Sequence, residues 1–105
     1  MQIKICKNPD KPTPLEKEHL PKINIAKSDS CQVREVKIEY PHPMIEEHHL
    51  KWIKVYRNEA LVDRLNLRPA DKPEAAFKIK LEPDDEFKIL VKCNQHGIWQ
   101  VIKNF

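Results

Sequence analysis

The sequence predicts an all-β protein, an antiparallel β-sandwich. Three observations carry this: short segments with alternating apolar residues, turn chemistry between them, and no long helical period. Phe77, Ile79 and Leu81 recur at every second position, as do Phe87, Ile89, Val91 and Cys93. A period of two places each set on one face of a half-buried strand. Val36, Ile38 and Tyr40 alternate in the same way, Lys51 to Arg57 is rich in β-formers, and Ile98 to Ile102 reads as a closing strand. The segments between them hold Asn58-Glu59, Arg68-Pro69-Ala70-Asp71 with Pro73 close behind, and Pro83-Asp84-Asp85, all residue types that turn the chain.

A chain of 105 residues is long enough to enclose one core and too short for two. Hydrophobic residues make up 40% and charged residues 33%, hydrophilic but sufficient to fold. The 19 Lys plus Arg exceed the 16 Asp plus Glu by a net +3, with the signs mixed along the chain. That argues against nucleic acid as a partner and suits a small anion. No apolar run is long enough for a membrane span, and the opening MQIKICKNPD lacks the apolar centre of a secretory leader, so a cytoplasmic location is expected. Cys6 to Pro14 contains three prolines and several charges. Residues 1–14 are therefore expected to form an N-terminal arm, with the folded domain over 15–105.

Cys6, Cys31 and Cys93 are an odd set at wide spacings with no Cys-x-x-Cys, which favours free thiols over a disulfide framework. Cys93 stands apart, because Cys93-Asn94-Gln95-His96-Gly97 has the spacing of a metal-binding turn and ends on the only glycine in the chain. A lone glycine there implies a positive φ or a close backbone approach. A second concentration of donors is Pro41-His42-Pro43-Met44-Ile45-Glu46-Glu47-His48-His49. Flanking prolines stiffen the backbone that carries His42. His48 is expected at the start of the following strand, sharing a face with Leu50 and Trp52, while His49 points the other way and is a surface or packing residue. Three His and one Cys would fill a tetrahedral zinc site. His19, in a charged loop that runs into Pro21, is a fourth imidazole and overfills it. Four imidazoles and a thiolate suit a five-coordinate transition ion, iron in particular, with one position open.

His19-Leu20-Pro21, Tyr40-Pro41-His42-Pro43-Met44 with Glu47-His48, Asp71-Lys72-Pro73-Glu74-Ala75 and Cys93-Asn94-x-His96-Gly97-Ile98-Trp99 together resemble the superoxide reductase family of desulfoferrodoxin and neelaredoxin. Without a Cys-x-x-Cys the chain is similar to the single-iron members, which lack the N-terminal desulforedoxin domain. The resemblance implies an immunoglobulin-like sandwich and a mononuclear Fe2+/Fe3+ centre. It places the equatorial ligands on His19, His42, His48 and His96 and the axial thiolate on Cys93, with amides of Gln95 and His96 donating to the sulfur. It implies one-electron reduction of superoxide to hydrogen peroxide, with rubredoxin or a similar small protein as electron donor, and it is compatible with a homodimer or homotetramer. Relatives commonly carry Glu-Lys-His before the proline, the lysine guiding superoxide and the glutamate closing the sixth position. Here the order is Glu16-Lys17-Glu18-His19. A one-residue bulge of the loop is expected to let Lys17 keep its role, while the glutamate role stays open between Glu16 and Glu18. A metal-binding module without turnover, zinc- or iron-loaded, or an electron-transfer module is the alternative.

Overall fold

Alternation decides the sandwich. The computed structural model describes residues 3–5, 11–27, 33–82 and 84–104. In chain order these form β1 (Ile3–Lys4), α1 (Pro14–Glu18), β2 (Lys22–Lys27), β3 (Val33–Glu39), β4 (Leu50–Arg57), β5 (Ala60–Asn66), β6 (Glu74–Lys80), β7 (Glu86–Cys93) and β8 (Gly97–Asn104). One sheet has the order β1-β8-β7-β4-β5 and the other β2-β3-β6. All pairings are antiparallel except β1 with β8, where Ile3 lies beside Ile98 and Lys4 beside Trp99 in parallel. Ile3–Lys4, within the segment 1–14, extends the larger sheet at its β8 edge. Cys6 and Cys31 lie outside the described residues.

The inward sets are those the period of two selects. Val36 and Ile38 from β3, Ala75, Phe77 and Ile79 from β6, and Phe87, Ile89, Val91 and Cys93 from β7 are buried and form one continuous cluster. Their neighbours in sequence face outward on β3 and β6. β4 departs from the simple pattern. Its pairing with β7 shifts between Leu50 and Trp52, and this irregularity puts Leu50, Ile53 and Val55 in the core while Trp52 turns outward. Lys54 Nζ lies 4.4 Å from the centroid of the Trp52 ring. The expectation that Leu50 and Trp52 share a face is therefore corrected. His48 also lies before β4, in the bend that leads to it.

Two further elements were absent from the sequence reading. β2 pairs with β3 from Lys22 opposite Glu39 to Lys27 opposite Arg34, and β5 is the outer strand beside β4. The segment before His19 is a helical turn in place of a loop. Thr13 caps it: the Glu16 N–H donates to Thr13 Oγ1 at 3.2 Å, and the Thr13 N–H donates to Glu16 Oε1 at 2.9 Å, a capping box with Pro14 at the first position. The β4–β5 turn takes positive φ at Asn58 (48°) and Glu59 (70°), the backbone of a tight hairpin. Among the described residues, no helix is long and apolar enough to cross a membrane.

Candidate metal centre

Four different parts of the chain bring donors to one end of the sandwich. α1 ends at Glu18 and its C-cap is His19, whose N–H donates to the Glu16 carbonyl at 3.0 Å. β3 runs out into Tyr40, tied by its N–H to the Pro73 carbonyl at 2.9 Å, and the chain continues through Pro41 to His42. The bend 45–48 is closed by reciprocal bonds between Ile45 and His48, at 3.0 and 3.2 Å, and presents His48. β7 ends at Cys93, and the turn that follows carries His96 before Gly97 opens β8. Gly97 has φ 81°, and a Cβ there would come no nearer than 3.9 Å to Lys4. The backbone angle, and not crowding, is what asks for glycine.

The four imidazoles form a ring of ring contacts. Centroids lie 4.9 Å apart for His19 and His42, 4.5 Å for His42 and His48, 4.9 Å for His48 and His96, and 5.3 Å for His96 and His19, each pair edge to face. The buried Cys93 thiol groups with His19 and His96 on one side and with His42 and His48 on the other, and within each group the ligand atoms lie within 4.8 Å of one another. The Glu18 carboxylate groups in the same way with His48 and His96, and with His19 and His42. Among the described residues no such grouping holds both Glu18 and Cys93. A square of imidazoles with the thiol on one face and the carboxylate on the other accounts for this pattern.

Hydrogen bonds fix which atoms face inward. His19 Nδ1 lies 2.8 Å from the Leu15 carbonyl and His42 Nδ1 lies 2.7 Å from the Pro43 carbonyl. A carbonyl only accepts, so both Nδ1 atoms carry the proton and each Nε2 holds a bare lone pair. Nε2 of His19, His42 and His48 are buried with no hydrogen-bond partner. The buried lone pairs of His19 and His42, with His48 Nε2 in the same ring of imidazoles, are costly to leave unmet, and a cation would satisfy them. His96 turns its other nitrogen inward, with Nδ1 3.7 Å from Cys93 Sγ. That contact, and not the expected amides of Gln95 and His96, is the polar neighbour of the sulfur among the described residues. Burial lowers the pKa of His19 from 6.5 to about 4, against the Leu15 carbonyl, which raises it. Burial likewise lowers that of His42, opposed by the Pro43 carbonyl. Both rings are neutral at neutral pH, the form that binds metal.

Of the residues the sequence singled out, the structure brings His19, His42, His48, Cys93, His96 and Glu18 together. Glu16 is spent on the Thr13 cap, and Lys17 is exposed on the outer side of α1. His49 stays outside the cluster because its Nδ1 lies 3.1 and 3.2 Å from the Ile45 and Glu46 carbonyls, in a bend and not on the far face of a strand. Nothing in the sequence around Trp99 assigns it a role. Its ring stacks flat on His19, centroids 4.6 Å apart and planes 4° from parallel, and its Nε1 donates to the His96 carbonyl at 3.0 Å. No spacing rule could reveal a stack between residues so far apart in sequence.

The model of the desulfoferrodoxin family matches residues 11–102, nearly the whole chain. The chain belongs to that family. It is 44% identical over 61 residues to a desulfoferrodoxin homolog of Methanothermobacter thermautotrophicus, a match covering 58% of this chain and 47% of the relative, so it spans about half of that protein's length. Against a superoxide reductase of Pyrococcus abyssi the identity is 32% over 95 residues, covering 79% of this chain and 83% of the relative. A solved structure titled superoxide reductase (neelaredoxin), from Ignicoccus hospitalis, superposes with a TM-score of 0.77 at 26% identity, covering 98% of this chain and 92% of that one. The all-β sandwich expected from the alternation is the fold of this neighbour too.

Proposed function

We propose that this desulfoferrodoxin-family chain is a superoxide reductase that holds one iron ion through His19, His42, His48, His96 and Cys93. The observation that carries the reading is the set of three buried, unpartnered Nε2 atoms within a closed ring of four imidazoles beside a buried thiol. Imidazole with a single soft thiolate is a donor set for iron, and ferrous iron when bound supplies one electron, which with two protons converts superoxide to hydrogen peroxide. The chain's own residues do the rest. Neutral imidazoles add no charge, so ferrous iron with the Cys93 thiolate alone would keep a net positive charge that draws an anion whenever Glu18 is withdrawn from the open face. Glu18 stands on the face opposite Cys93 and governs access to it, the role the sequence left open between Glu16 and Glu18. A small one-electron donor of the rubredoxin kind restores the electron.

The test is the product. Iron-loaded protein given superoxide is expected to form hydrogen peroxide and no dioxygen, and dioxygen release would overturn the assignment. Cys93→Ser is expected to abolish the visible thiolate-to-iron absorption of the oxidised protein and most of the activity. A second reading has one observation behind it: Glu18 closes the face left open by the other five donors, as a module holding metal without turnover would require. Glu18→Ala separates the two, since a reductase keeps or gains rate when the face is opened, whereas the module reacts with superoxide in neither form.

A further inference from the structure

Metal-binding imidazoles need their rings oriented, and a hydrogen bond from the second ring nitrogen usually does it. His19 and His42 follow this rule through the Leu15 and Pro43 carbonyls. His48 does not: among the described residues its ring has no hydrogen-bond partner. Its backbone is held instead. Asn94 Oδ1 accepts from the His49 N–H at 3.0 Å, Asn94 Nδ2 donates to the Glu47 carbonyl at 3.1 Å, and the Asn94 N–H donates to the His49 carbonyl at 3.1 Å. Gln95 Nε2 adds a second donor to the Glu47 carbonyl. The residues on both sides of His48 are thus bound to the turn between Cys93 and His96, across some 45 residues of sequence.

We propose that Asn94 is a positioning residue of the metal centre, whose carboxamide sets where His48 Nε2 stands relative to Cys93 Sγ and His96 Nδ1. It replaces, through the backbone, the ring contact that orients His19 and His42. The side chain suits the task because it offers one acceptor and one donor at a fixed separation, matching the N–H of His49 and the carbonyl of Glu47. Aspartate has no donor, and alanine has neither group. Asn94 is itself exposed and packs nothing in the core. Its removal therefore acts on the site more than on the fold. The inference rests on reading the cluster as a metal centre and is independent of the reaction performed there.

Cobalt(II) is the probe, because its ligand-field spectrum reports coordination geometry without any turnover. Asn94→Ala is expected to weaken cobalt binding by about 10- to 100-fold, with shifted ligand-field bands and an unchanged melting temperature of the metal-free protein. In a His48→Ala background the same substitution is expected to add about twofold or less, since the residue it positions is gone. Wild-type affinity and spectrum in Asn94→Ala would overturn the proposal, as would an undiminished effect when His48 is already absent. Asn94→Asp, which keeps Oδ1 and loses the donor to Glu47, is expected to fall between wild type and Asn94→Ala and takes its place if that variant does not fold. Failure of the wild-type protein to bind cobalt would instead remove the metal-centre reading itself.

Discussion

At the scale of the residue, the proposed ligands were legible because their chemistry is rare in combination. A histidine between two prolines and a Cys-x-x-His followed by the single glycine each say little alone, and the fold brings His19, His42, His48, Cys93 and His96 into one cluster. The residues that orient them were not legible. Asn94, Trp99 and the Leu15 carbonyl act across long sequence separations or through the backbone, where side-chain identity leaves no mark. The order Glu16-Lys17-Glu18 was the ambiguous point, and geometry separates its parts: Glu16 caps, Glu18 faces the imidazoles, and Lys17 is exposed. An exposed cation acts on an approaching anion through its field and not by contact. Lys17→Ala is accordingly expected to slow the reaction with superoxide by as much as tenfold, on the order of a small steering effect, and to flatten its dependence on ionic strength. Equal rates for the two proteins across a salt series would show that Lys17 only solvates the helix.

At the scale of the element, alternation exposed β3, β6, β7 and β8, and it failed where a strand lies at an edge or a register slips. β5 is exposed along nearly its whole length, so its residues carry no inward–outward contrast to read. β2 shows Ile23 and Ile25 at a period of two, but two apolar positions are too short a run of alternation to mark a strand. α1 is too short for helical periodicity, and its signal was Thr13-Pro14-Leu15-Glu16, a capping box in sequence. Turn chemistry was the better guide at the far end of the sandwich. There the buried Asp85 accepts from the Glu82 N–H at 2.8 Å, from Asn58 Nδ2 at 2.8 Å and from Arg57 Nε at 2.7 Å, fastening the β4–β5 turn to the loop before β7. The Glu82 N–H first, then Asn58 and Arg57, hold its carboxyl down from 3.8 to about 2. A carboxylate with a lowered folded pKa stabilises the fold above its unfolded value and loses that contribution as the pH falls. The melting temperatures of wild type and Asp85→Asn are therefore expected to differ at neutral pH and to converge between pH 3.8 and about 2. A gap that persists undiminished at the acid end would mean that shape, and not charge, is what Asp85 contributes.

At the scale of the whole molecule, the donor cluster sits at one end of a strand, β7, whose buried face runs along the core from Phe87 to Cys93. Phe87, fully buried, is the second residue of β7, and Cys93 ends it, about 20 Å away at the usual rise per residue. The five proposed ligands come from α1's cap, the segment after β3, the bend before β4, the end of β7 and the turn after it, so an ion held by them would link segments that flank both sheets. An ion that binds the folded chain alone adds about 2.7 kcal/mol when its free concentration is a hundredfold above Kd. For a domain of this size that corresponds to a rise in Tm of roughly 10–20 °C. Phe87→Ala removes a side chain from the middle of the core and is expected to cost about 3–5 kcal/mol. Sites this far apart with no shared partner should add within about 0.5 kcal/mol. Urea unfolding of the two proteins, each with and without cobalt(II), is therefore expected to show a large loss from Phe87→Ala and an unchanged increment from the metal. A metal increment reduced in Phe87→Ala by more than about 1 kcal/mol would show coupling beyond that additivity. It would mean that β7 transmits core strain to Cys93, and that the ligand end of the sandwich is not built independently of its packing.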